Sequence, residues 1–233
     1  IYDLPSGKLL QNRPSLKPLW DVRALTHLTW LALPLGVVMM LNSLTTNVPR
    51  YFIERFWGEY ELGIYAALTY LMVAGTTVVS ALGQSASPRL SKHYAAGDVA
   101  AFCSLLLKLV GVGALIGASG MLITLGAGRQ ILTLLYRPEY AEHADILLLV
   151  VVAASVGFMA SFLGYGMTAA RYFRAQLPLF LVVSIIAVLS SMVIIPYKGL
   201  YGSVIVLIIV MVSQFIGSAI IVFRALYALT WGS

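Results

Sequence analysis

Of 233 residues, 60% are apolar and only 10% are charged, against roughly a quarter charged in a soluble domain. That balance excludes an ordinary water-soluble fold, and the net charge of +6 is spread between apolar blocks, which argues against a nucleic-acid partner. The single Cys103 can form neither an intramolecular disulfide nor a thiolate zinc motif and is expected to be a small packing residue.

Residues 1–25 are polar, with Pro5, Pro14 and Pro18 among Lys8, Arg13, Lys17 and Arg23, and they carry no signal-peptide pattern. They read as a cytoplasmic connecting loop. Because the chain opens on Ile1, the expectation is a piece of a longer protein. Six apolar blocks follow, at about 26–49, 62–84, 102–126, 145–170, 177–196 and 200–223, each near the ~20 helical residues that cross a hydrocarbon core. The blocks are apolar all round, where barrel strands would alternate, so the fold class is all-α, a polytopic membrane bundle of about six helices. The transmembrane lobe is expected over 26–227, with a short cytoplasmic tail over 228–233.

The first block contains Pro34, expected to kink its helix, and then the polar run Asn42, Ser43, Thr45, Thr46 and Asn47. Lipid does not tolerate such a run unless it faces other helices or a wet cavity, or bonds back to its own helix. In the third block, Gly113, Gly117 and Gly120 are spaced for close helix packing; in the fourth, Ala153, Gly157 and Ser161 share a face, with Ala160 and Gly164 beside it. Lys108 stands six residues into the third block, where its stem either snorkels to the interface or carries a cation into a cavity.

The loops sort by charge. One side carries nine basic residues, Lys8, Arg13, Lys17, Arg23, Arg89, Lys92, Arg171, Arg174 and Arg224; the other carries five, Arg50, Arg55, Arg129, Arg137 and Lys198. The positive-inside rule then places the first side, and both termini, in the cytoplasm. Glu54, Glu59, Glu61, Glu139, Glu142 and Asp145 gather on the other side.

No catalytic constellation, nucleotide-binding Gly-rich loop or His/Cys metal spacing stands in the chain. An enzyme, a cofactor and a bound metal are therefore not expected. All nine Asp and Glu lie in loops or at span ends, whereas an exchanger of protons or sodium for cationic drugs usually needs a buried carboxylate. Cations and amides near the span ends, Arg50, Arg89, Lys92, Arg171 and Arg174 with Asn47 and Gln84, suit an anionic partner such as a phosphate or diphosphate. Anchoring at phospholipid headgroups is the plain alternative for each arginine.

The stretches LPLGVVMMLNSLTTNVPRYFIE (33–54), LGIYAALTYLMVAG (62–75), ALGQSASPRLSKHYAAGD (81–98), LLYRPEYA (134–141) and ASFLGYGMTAARYFRAQLPLF (160–180) resemble the C-terminal half of Wzx-type oligosaccharide flippases. These belong to the polysaccharide branch of the multidrug/oligosaccharidyl-lipid/polysaccharide exporter superfamily, and the likeness runs from Trp20 onward. It implies one lobe of a two-lobe transporter whose N-terminal six-helix lobe precedes it, in the bacterial inner membrane. Such proteins carry an undecaprenyl-diphosphate-linked glycan between leaflets for surface polysaccharides such as lipopolysaccharide, by alternating access, alongside polysaccharide polymerase machinery. Carried onto this chain, the resemblance and the polar spans give Asn42, Asn47, Arg50, Gln84, Arg89, Lys108, Tyr165 and Arg171 as candidate cavity residues. Cation-coupled multidrug efflux within the same superfamily is the alternative. A glycan polymerase is disfavoured because no large outer loop is present.

Overall fold

The longest apolar helical stretches fix the topology by their length. The stretch Gly36–Ala95 has 60 residues and Ala175–Tyr227 has 53; drawn straight, each would reach about 80–90 Å, against a hydrocarbon core of about 30 Å. Each must fold back once, and the backbone shows where. In the computed structural model, which describes residues 22–136 and 138–231, α1 (Val22–Tyr70) is interrupted at Gly58 (φ 84°). In the same way α5 (Phe173–Trp231) is interrupted at Gly199 (φ 53°). Both angles lie in the left-handed region that glycine enters without a side-chain penalty. Between them run α2 (Met72–Ala95), α3 (Val99–Leu135), a 3₁₀ turn (Pro138–His143) and α4 (Ala144–Ala169). The second limb of α1 and α2 together make one span, so six spans result, as the apolar blocks predict.

The chain divides into two units between Leu33 and Pro34. In the first, the described part is helical from Val22, and the Thr26 hydroxyl donates to the Arg23 carbonyl at 3.0 Å. The expected loop over 1–25 lies outside the described residues as far as position 21. So do Arg137, the side chain of Arg174 and the end of the expected tail.

Within 34–233, contacts at glycine show how the spans run. On α3 and α4, Gly113 faces Phe158 and Met159, Gly117 faces Ser155, Gly120 faces Val151 and Gly128 faces Ala144, an antiparallel order. On α2 and α4 the order is parallel: Gly75 lies under Phe158 and Gly83 under Tyr165. Leu179 packs on Gly217 and Ile194 on Gly202, pairings that centre on position 198, beside the break at Gly199, and make α5 a helical hairpin. Gly113, Gly117 and Gly120 thus serve close packing, because without an apolar driving force in lipid the helices gain from backbone approach. Gly157 instead meets Met211 of α5, and Gly164 has nothing within 4 Å.

The core divides along the bundle axis. One apolar cluster, around Ile53, Leu68, Leu132, Val150, Ile195 and Val204, lies toward Gly58 and Gly199. Another, around Val79, Leu90, Phe102, Leu106, Phe162 and Met167, lies toward the opposite turns. There the α2–α3 turn is capped by Asp98, whose carboxylate accepts from the Ala101 amide at 2.9 Å.

Several expected loops prove shorter. The regions 50–61 and 85–101 are helical apart from Gly58 and residues 96–98, and α3 runs on to Leu135. Apolar blocks report the thickness of hydrocarbon, whereas these helices continue into the polar interface. The backbone of α1 is helical through position 34; the break lies at Gly58.

Candidate functional site

Asn42, Thr46 and Arg50 recur every four residues on the first limb of α1 and so share a face. The reversal at Gly58 brings Tyr65, Thr69, Met72 and Thr76 back along that face in opposite order. Gly157 and Ser161 of α4 and Met211 and Gln214 of α5 close the other side of a partly enclosed cavity of about 300 Å³.

Among the described residues Arg50 is its only basic wall residue, and no Asp or Glu lines it. One nitrogen, Nη1, donates to Asn47 Oδ1 at 3.4 Å, and Asn47 is held in turn by donating from Nδ2 to the Ser43 carbonyl at 2.8 Å. The Arg50 Nε is buried without a hydrogen-bond partner. A guanidinium partly removed from water, with an unfilled donor and no carboxylate beside it in the cavity, is stabilised by an anion that enters.

The polar run of the first span serves two purposes. Asn42 and Thr46 line the cavity, with the Thr46 hydroxyl donating back to the Asn42 carbonyl at 3.0 Å. Thr45 turns the other way, its hydroxyl 2.8 Å from that of Ser184 on α5 and bonded to the Leu41 carbonyl. Both readings of the run, interior-facing and back-bonded, hold together.

Of the eight candidate residues, the structure gathers Asn42 and Arg50 on the wall and Asn47 behind Arg50. Gln84 lines a shallow recess farther along α2, with Thr77 and Ser80; Thr76 borders both hollows. Arg89 and Lys108 are exposed on α2 and α3, away from the cavity wall. The Tyr165 ring packs over Gly83. Arg171 is exposed in the α4–α5 turn, in a left-handed conformation (φ 59°). At that same end the Tyr94 phenol is hydrogen-bonded to Tyr172. That contact ties the α2 terminus to the α4–α5 turn.

Sequence reasoning missed Tyr65, Thr69, Thr76 and Gln214. The signals were present: Tyr65, Thr69 and Thr76 share a helical spacing, and Gln214 is an amide inside an apolar block. Pro49, immediately before Arg50, was a third, since it removes the amide that would bond the Thr45 carbonyl.

A solved outward-facing multidrug resistance MATE family transporter of the MOP superfamily superposes with a TM-score of 0.63. It does so over 95% of this chain and 50% of its own, at 15% identity. The chain thus has the fold of half of that transporter. In sequence, the chain is 29% identical over 186 residues to the capsular polysaccharide biosynthesis protein CapF of Staphylococcus aureus, a match covering 80% of this chain and 46% of CapF. The chain thus spans about half the length of both. No family model matches it.

Proposed function

We propose that this chain is one lobe of a transporter that moves a polyprenyl-diphosphate-linked oligosaccharide across the plasma membrane by alternating access, for surface polysaccharide assembly. The observation that carries the reading is Arg50, a guanidinium with an unfilled buried donor in a cavity without carboxylates. The volume of about 300 Å³ suits a diphosphate group with its first attachments; an oligosaccharide would extend beyond it. The similarity to a capsular polysaccharide biosynthesis protein points the same way.

The experiment is translocation of a fluorescent lipid-linked glycan in liposomes containing the full-length protein. Arg50→Ala is expected to lower the rate about tenfold or more, the scale of a lost charge-assisted contact, with Arg50→Lys retaining part of it. Unchanged transport in Arg50→Ala would remove the assignment. Cation-coupled drug efflux is the second reading, favoured by the MATE-family neighbour. It requires drug export that depends on a proton or sodium gradient and survives Arg50→Ala.

A further inference from the structure

A second hollow, unlike the Arg50 cavity, lies toward the Gly58 and Gly199 end between α3 and the start of α4. Its volume is about 600 Å³. The two helices meet at its floor, where a Cβ on Gly128 would stand 3.9 Å from that of Ala144. The charged residues flank this contact: Arg129 and Gln130 from α3, Glu142 from the 3₁₀ turn and Asp145 from the first turn of α4. Gly126 leaves one side open, since a Cβ there would meet nothing within 4 Å.

The surroundings identify the medium. On the same helix Leu122, Leu125 and Leu134 are 71%, 66% and 86% exposed. In this lobe, apolar side chains that exposed on a membrane-spanning helix are open to acyl chains. A recess that holds, among the described residues, one guanidinium, one amide and two carboxylates therefore opens near the end of a span, at the depth of headgroups.

We infer that this recess binds the headgroup of a zwitterionic aminophospholipid, the phosphate toward Arg129 and Gln130 and the ammonium toward Glu142 and Asp145, with the acyl chains along the exposed leucines. The charge pattern discriminates among headgroups. A phosphatidylglycerol offers only an anion to a recess with two carboxylates, a repulsive pairing. A phosphatidylcholine has no N–H to donate to those carboxylates. A primary ammonium satisfies both acids while the phosphate satisfies the guanidinium and the amide. This assignment stands apart from the transport reading, because it uses neither the Arg50 cavity nor its ligand.

Native mass spectrometry of the delipidated full-length protein, titrated separately with phosphatidylethanolamine, phosphatidylglycerol and phosphatidylcholine, tests it. Phosphatidylethanolamine is expected to be retained about tenfold over the others, as charge-assisted hydrogen bonds at such a site warrant. The preference should fall to parity in Glu142→Gln/Asp145→Asn. It should do the same in Gly126→Phe, whose ring has room on the helix but fills the recess. Equal retention of the three lipids by the native protein overturns the inference, as does a preference that survives either folded variant. If the double variant does not fold, Gly126→Phe alone decides.

Discussion

The indole N–H of Trp57 donates to the Ile195 carbonyl at 2.9 Å. That carbonyl lies in the last turn before the break at Gly199, among those that a helix end leaves short of amide donors. The residue before one reversal, at Gly58, thus caps the helix that leads into the other. The Trp57 ring also lies 3.0–3.2 Å from where a Cβ on Gly199 would stand. Trp57→Phe should keep the ring contact and lose the cap, lowering stability by about 1–2 kcal/mol. Gly199→Ala should cost more, roughly 1–3 kcal/mol for the backbone alone plus the collision with the indole. Thermal unfolding in detergent gives the order, native above Trp57→Phe above Gly199→Ala; a reversed order would discard the capping account.

The glycines of α3 separate by environment. A Cβ on Gly117 would collide with the Ser155 side chain and crowd its Cα, whereas a Cβ on Gly111 would meet nothing within 4 Å. Gly117→Ala should therefore destabilise by about 1–3 kcal/mol through overpacking, and Gly111→Ala should be neutral or stabilising by up to about 1 kcal/mol. The same melting assay distinguishes them, and Ser155→Ala should rescue part of the Gly117→Ala loss.

That contrast also shows what could be read before the structure. Apolar block length carries the number of spans, because hydrocarbon thickness acts on every helix alike. Four-residue glycine spacing carries the α3–α4 contact, since small residues on one face have a local signature. The cavity was legible only in part. Asn42 and Arg50 show themselves as polar groups in a span, but their meeting with Gln214 depends on which helices the bundle places together, and no local pattern encodes that. Arg89, Lys108 and Arg171 carried the same charge signal as Arg50, yet the fold leaves them on the surface.

Arg171 separates strain from chemistry. It holds φ 59° in the turn, where its amide donates to the Thr168 carbonyl and that of Tyr172 to the Met167 carbonyl. A side chain in this conformation costs about 1 kcal/mol relative to glycine. Arg171→Gly should accordingly raise the melting temperature by a few degrees. If the guanidinium contributes to transport as an exposed anchor, the rate should fall less than in Arg50→Ala. A drop in melting temperature would show that the side chain makes a stabilising contact larger than the strain.

Orientation is testable at the turns. Asp98 caps the α2–α3 turn at one end and Glu139 lies in the 3₁₀ turn at the other. With the excess of basic residues on the Asp98 side held in the cytoplasm, Glu139→Cys in a Cys103→Ser background should react with an impermeant maleimide in intact cells. Asp98→Cys should react only after permeabilisation. The opposite pattern would invert the topology.

Asn47 touches Arg50 through its side-chain oxygen and is itself anchored to the Ser43 carbonyl, while it does not line the cavity. This makes it a positioning residue, acting on an anion through the guanidinium. Asn47→Ala should lower lipid-linked glycan transport a fewfold, in keeping with a long hydrogen bond worth roughly 1 kcal/mol. The diagnostic measurement is the double-mutant cycle. With Arg50→Ala already in place, Asn47→Ala should add nothing, because groups that act through one another are not additive. Melting temperatures for the four proteins provide the control, since a merely structural Asn47 would lower transport equally in both backgrounds and lower stability in step with it.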